Sequence, residues 1–262
     1  MRSPIAAISL CITLVLAGPL EKDRRIHNGE LAEPDQFPYA VGLIVPSGIC
    51  GGSLVSANYV LTAAQCIANL ESAIVVLGST RIFDQSDENQ IRLEATSFTI
   101  HPGYEIAGEI FDVGLIRLPQ SVSNVRPIRL PNRRQVEATF VGQQATVVGW
   151  GRISQSGPQS ENLLFARSPV ISVASCRMGL PTQQITDNHI CTNSENNAPC
   201  QGDFGSPLTV VDVDGITTQI GVFSFNSVLG CQSNRPAVFS RMSSYLNWIG
   251  DNSDVVIRDN FE

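Results

Sequence analysis

Two groups of residues in this chain can do chemistry in almost any fold. The first is the cysteines. Cys11 lies in an apolar leader, and six more stand at Cys50, Cys66, Cys176, Cys191, Cys200 and Cys231. An even count behind a leader points to three disulfides, with fifteen pairings open on arithmetic alone. Metal ligation fails on spacing, because there is no Cys-x-x-Cys pair and no nearby Cys/His cluster, so neither metal nor cofactor is expected. The second group is the polar stretch Glu21–Arg25, which ends in two arginines and runs into Ile26-His27-Asn28-Gly29. A basic residue before an apolar residue and a turn is a good site for proteolytic processing at Arg25–Ile26. Proton transfer near neutral pH has only His27, His101 and His189 to draw on.

The elements that must hold these residues begin after the leader. Met1–Arg2 supplies positive charge, an apolar run spans Ile5 to Ala17, and small residues follow at Ala17–Gly18. Residues 1–17 read as a secretory signal peptide, too short for a comfortable membrane span. Residues 18–25 then form a short propeptide, and 26–262 the mature, extracellular domain. At 262 residues and 43% hydrophobic the chain can bury a sizeable core. From Ile26 onward 13 arginines face 22 carboxylates. That acidic balance argues against nucleic acid or anionic membranes as partners.

Short β-type runs between turn residues dominate: Tyr39–Val45, Gly52–Leu54, Tyr59–Thr62, Ala73–Leu77, Phe98–Ile100, Val113–Leu118, Ala145–Val148, Pro207–Val213, Thr217–Phe225 and Ala237–Arg241. Many short strands at regular intervals suggest a sandwich or barrel. One terminal helix is expected, capped by Ser243 or Ser244, carrying Tyr245–Ile249 and ending near Gly250.

A set of ordered segments then carries a resemblance. They are Arg25–Gly29, Gln36-Phe37-Pro38-Tyr39, Cys50-Gly51-Gly52-Ser53-Leu54, Leu61-Thr62-Ala63-Ala64-Gln65-Cys66, His101-Pro102-Gly103-Tyr104, Asp112–Leu118, Gly149-Trp150-Gly151 and Cys200–Leu208. Together they resemble the chymotrypsin/trypsin-like serine proteases, in an arthropod style, over nearly the whole mature chain. The resemblance implies an all-β fold of two six-stranded antiparallel barrels with a C-terminal helix and a cleft between the barrels. It also selects the pairings Cys50–Cys66, Cys176–Cys191 and Cys200–Cys231.

The family's acyl transfer needs a hydroxyl nucleophile, an imidazole to carry its proton and a carboxylate to orient the imidazole. By resemblance the carboxylate is Asp112. Gln65 stands where the Thr-Ala-Ala-His-Cys pattern has histidine, and an amide cannot shuttle a proton near neutrality. Phe204 stands where Gly-Asp-Ser-Gly-Gly-Pro has serine. Ser206 is the nearest hydroxyl, on a tight turn expected to aim it elsewhere. Gly202 matches an oxyanion-hole glycine. Asp203 matches the aspartate that pairs with a new amino terminus, here Ile26, after cleavage. The primary specificity pocket falls at Ala198, Ser224, Asn226 and Ala237, with Asn226 narrowing a site where glycine is usual. Ser224-Phe225 resembles the strand that pairs with extended peptides, so β-augmentation is expected to remain available.

These features lead to the expectation of a secreted, catalytically inactive homologue acting by binding, as cofactor, regulator or decoy in an extracellular protease cascade, with a protease, inhibitor or cascade component as partner. The alternatives are a weak or atypical serine-type endopeptidase, and a structural or storage protein of extracellular fluid.

Overall fold

The computed structural model of the chain describes residues 29–105, 110–195 and 197–259. The expected leader, the Arg25–Ile26 step and the Ile26 half of the ion pair lie outside the described residues. The first half holds β1 (Glu30–Leu31), β2 (Ala40–Val45), β3 (Gly48–Leu54), β4 (Tyr59–Thr62), helix α1 (Ala64–Ile67), β5 (Ala73–Leu77), β6 (Ile91–Ala95), β7 (Ser97–Ile100) and β8 (Gly114–Arg117). The second holds β9 (Gln144–Gly149), β10 (Leu164–Ile171), α2 (Val173–Gly179), β11 (His189–Thr192), β12 (Pro207–Val211), β13 (Thr217–Phe225), β14 (Ala237–Arg241) and α3 (Leu246–Asn252).

These strands pair antiparallel in two sheets. The second-half sheet runs β1-β10-β11-β14-β13-β12-β9, and β9 pairs back with β10 to close a six-stranded ring with the two-residue β1 added. The first-half sheet runs β6-β5-β2-β3-β4-β8-β7 and curls into a half-barrel. Its outer strands β6 and β7 are one stretch of chain interrupted at Thr96, pairing with β5 at one end and β8 at the other. That interruption gives seven strands where six were expected.

β-Branched and aromatic residues make these strands because both faces are covered. In β13 the run from Thr218 to Phe225 is buried throughout. Leu43, Leu61, Val75 and Leu115 fill one core; Leu164, Ile190, Phe223 and Phe239 fill the other. Trp150, fully buried, anchors the first core and donates from Nε1 to the Thr80 carbonyl at 3.1 Å. Among the described residues no helix is long and apolar enough to cross a membrane.

The terminal helix differs from its expectation. Ser243 lies with Met242 and Ser244 in a 3₁₀ turn, and α3 starts after Tyr245 with no side-chain cap. Burial explains this: Met242, Ser243, Tyr245, Leu246 and Ile249 are packed inward, so tertiary contacts hold the start of the helix. Helix α2 was not anticipated, although Ser172 caps it by accepting from the Ser175 amide at 3.1 Å.

All three disulfides pair as the resemblance implied: Cys50–Cys66, Cys176–Cys191 and Cys200–Cys231. Cys50–Cys66 ties β3 to α1 across a sequence separation of 16 residues. Replacing both cysteines with serine should lower unfolding free energy by about 3 kcal/mol, read by urea denaturation.

Candidate active-site cleft

Strand register brings the first pair of residues together. β4 and β8 run antiparallel with Thr62 opposite Gly114, so the chain leaves β4 and enters β8 at the same end of the sheet. Gln65, three residues past Thr62, and Asp112, two before Gly114, therefore meet. α1 can sit this close because residue 114 is glycine: a Cβ there would lie 2.6 Å from the Ile67 side chain.

Asp112 is fully buried. Oδ1 accepts from the Gln65 amide N–H at 2.9 Å. Oδ2 accepts from Gln65 Nε2 at 2.5 Å and from Ser224 Oγ at 2.6 Å. The Asp112 carbonyl accepts from Ser240 Oγ at 2.7 Å. Burial pushes the carboxyl above its ordinary range, while the bonds from Ser224 and Gln65 pull it back. Gln65 Nε2 also donates to the Ser224 carbonyl at 2.8 Å, so one amide joins the carboxylate to β13.

Phe204 sits on a loop pinned from both sides. Its carbonyl accepts from the Gly51 N–H at 2.7 Å, the Gly205 N–H donates to Phe223 O at 2.8 Å, and the Phe223 N–H donates to Ser206 O at 2.8 Å. Gly205, at φ +85°, presses on the Gly51 carbonyl and Thr62 Oγ1, leaving no room for a Cβ. The half-buried Phe204 ring stacks on Phe223 with centroids 5.5 Å apart, and it packs against both hydrophobic cores. Gly202, at φ +97°, has the Gly151 backbone 3.0 Å from where a Cβ would stand.

Asp203 is buried beside it. Its oxygens accept from the Gly151 N–H at 2.7 Å and the Cys200 N–H at 2.9 Å. Burial raises its pKa to about 6 against the pull of those two bonds. Ser206 Oγ is fully buried against Gly51 and Gly149 with no hydrogen-bond partner. His101 is held in an aromatic cluster with Phe111, Tyr245 and Trp248. His189 is buried in β11, where Nδ1 accepts from the Thr186 N–H at 3.0 Å. His27 lies outside the described residues.

Ala198 and Ala237 are fully buried. The Asn226 side chain spans from the end of β13 to the segment before Cys200, where Nδ2 donates to the Pro199 carbonyl at 2.6 Å. Its Oδ1 is buried without a partner. One residue of this cleft was missed from sequence: Gln183, in the loop between α2 and β11, donates from Nε2 to the Asn226 carbonyl at 3.0 Å. A lone glutamine in a polar loop carries no pattern that could have marked it. Among the described residues no cluster of His, Cys, Asp and Glu could hold a metal.

The family model described as Trypsin matches residues 26–249. The chain belongs to the trypsin family. Among its relatives is a protein named collagenase from Hypoderma lineatum, 32% identical over 96% of this chain and 98% of that one. A chymotrypsin from Phaedon cochleariae is 33% identical over 87% of this chain and 82% of its own length. A brachyurin from Leptuca pugilator is 32% identical over 86% and 96%. The solved structure of HL collagenase superimposes with a TM-score of 0.78 at 32% identity, covering 87% of this chain and 99% of that one.

These names correct one expectation. The relatives are named as proteases, so the trypsin-family activity to which they point is proteolysis. The expectation of a catalytically inactive homologue that acts by binding, as cascade cofactor, regulator or decoy, finds no support among them and is withdrawn.

The Asp203 geometry makes stability depend on pH. The folded state holds the carboxyl proton up to about pH 6, whereas an unfolded aspartate releases it near pH ~4. Stability is therefore greatest below that window and falls as pH rises through it, by as much as about 3 kcal/mol. Asp203→Asn should flatten this slope in chemical denaturation at graded pH.

Proposed function

We propose that this trypsin-family chain is exported and keeps the family's polypeptide groove without the pair that performs serine-type acyl transfer. The observation that carries the reading is Gln65. Its side-chain amide donates to Asp112 Oδ2 and to the Ser224 carbonyl, while its main-chain N–H donates to Asp112 Oδ1. Such a group orients nothing for proton abstraction and has no proton affinity near neutrality. Phe204 supports the reading from the other side, because a phenyl ring packed on Phe223 offers no nucleophile. Three disulfides and the leader support export.

The relatives' names favour a second reading, a peptidase using other groups. Ser206 is the hydroxyl nearest the site, and its burial speaks against it.

The test is hydrolysis of peptide esters and labelling by a serine-directed fluorophosphonate, on protein beginning at Ile26. Neither is expected. Turnover that Ser206→Ala abolishes would establish the second reading instead. Restoring the chemistry is the converse experiment. Gln65→His with Phe204→Ser should create fluorophosphonate labelling and measurable ester hydrolysis. Either substitution alone should stay silent, because nucleophile and base act as a unit, each worth on the order of 10⁶ in turnover in a different serine protease.

A further inference from the structure

The hairpin between β12 and β13 carries the one Asp-Gly step in the sequence, Asp214-Gly215. The Asp212 N–H donates to the Ile216 carbonyl at 3.0 Å, and the Gly215 N–H to the Asp212 carbonyl at 2.9 Å. Gly215 takes the left-handed conformation that this kind of turn requires, at φ +78°. Such a step is chemically weak, because no Cβ on the following residue shields its amide nitrogen. That nitrogen can attack Asp214 Cγ, forming an N–C bond and expelling water built from the amide proton and the carboxyl hydroxyl. Water then opens the five-membered imide at either carbonyl. One opening returns aspartate; the other leaves isoaspartate, with the main chain rerouted through Cγ. The net change is an isomerisation, and only water is needed.

Both residues are exposed at the hairpin tip, so water has access. The carboxylate, however, is held at both oxygens. Arg129, from the connection between β8 and β9, grips it as a fork: Nη1 donates to Oδ2, and Nη2 to Oδ1 at 3.0 Å. The Ile216 N–H donates to Oδ1 as well, at 3.0 Å. The fork is itself aimed, with Nε and Nη2 donating to Thr218 Oγ1 at 2.9 and 2.7 Å. Its main chain is tied to the same strand, where the Gln219 N–H donates to the Arg129 carbonyl at 2.9 Å.

We propose that Asp214-Gly215 is a latent site of isoaspartate formation, and that the Arg129 fork guards it. Turning the carboxylate toward the Gly215 nitrogen means giving up three hydrogen bonds. The fork also keeps the group ionised, whereas ring closure consumes the protonated acid. Arg129 first, and then the Ile216 amide, hold the carboxyl down to about 2, which makes the acid form scarcer than on a free aspartate by about one to two orders of magnitude.

The experiment ages the wild type, Arg129→Ala, Arg129→Lys and a synthetic peptide spanning residues 212–217 at neutral pH and 37 °C. Isoaspartate at Asp214 is counted by peptide mapping and by labelling with an isoaspartyl methyltransferase. Arg129→Ala should form it about ten times faster than the wild type or more, approaching the free peptide. Arg129→Lys keeps the charge without the fork and should fall between. Deamidation at Asn252-Ser253, at the end of α3, should proceed equally in all three proteins. A wild type that isomerises as fast as the peptide overturns the proposal, as does an Arg129→Ala no faster than the wild type. A matching rise at Asn252 overturns it too, because general loosening would then explain the gain. Thermal melting checks the fold, and Arg129→Lys decides alone if Arg129→Ala does not fold.

Discussion

A carboxylate with no access to water sits where the two sheets meet, and the arrangement of the cleft follows from keeping it satisfied. An ion removed from solvent costs several kcal/mol unless hydrogen bonds replace the water. Asp112 takes its replacements from both sides: the Gln65 main chain and side chain from the first sheet's end, and the Ser224 hydroxyl from the second. The seam is therefore held in one geometry by donors that belong to different halves. A neutral amide does this holding without a proton that titrates near neutrality.

The second buried carboxylate shapes its surroundings by size. Asp203 lies so close to Gly149 and Gly151 that a Cβ at either position would overlap its oxygens. It also draws the Cys200 and Gly151 amides onto itself, which fixes the loop carrying Gly202 and Phe204. Charge burial and glycine placement here are one constraint seen from two sides.

How much of this could be read from the sequence depends on range. Runs such as Tyr59–Thr62 and Thr217–Phe225 declared themselves because local composition and burial agree. β10 escaped notice because Arg167 and Pro169 break its apolar pattern, and only pairing with β9 and β11 makes it a strand. The cysteines gave three bridges but not their partners; the family pattern supplied those. Gln65, Asp112 and Phe204 were legible as positions in motifs. The hydrogen bond from Gln183 to Asn226, 43 residues away along the chain, was not, because nothing local to a loop glutamine encodes its acceptor.

The Phe204 ring touches both cores, and that sets the cost of exchanging it. Trading the ring for a small polar side chain surrenders contacts in two places at once. One side chain on a loop thus works as a rivet between the two halves, and a change there is felt on both sides of the seam.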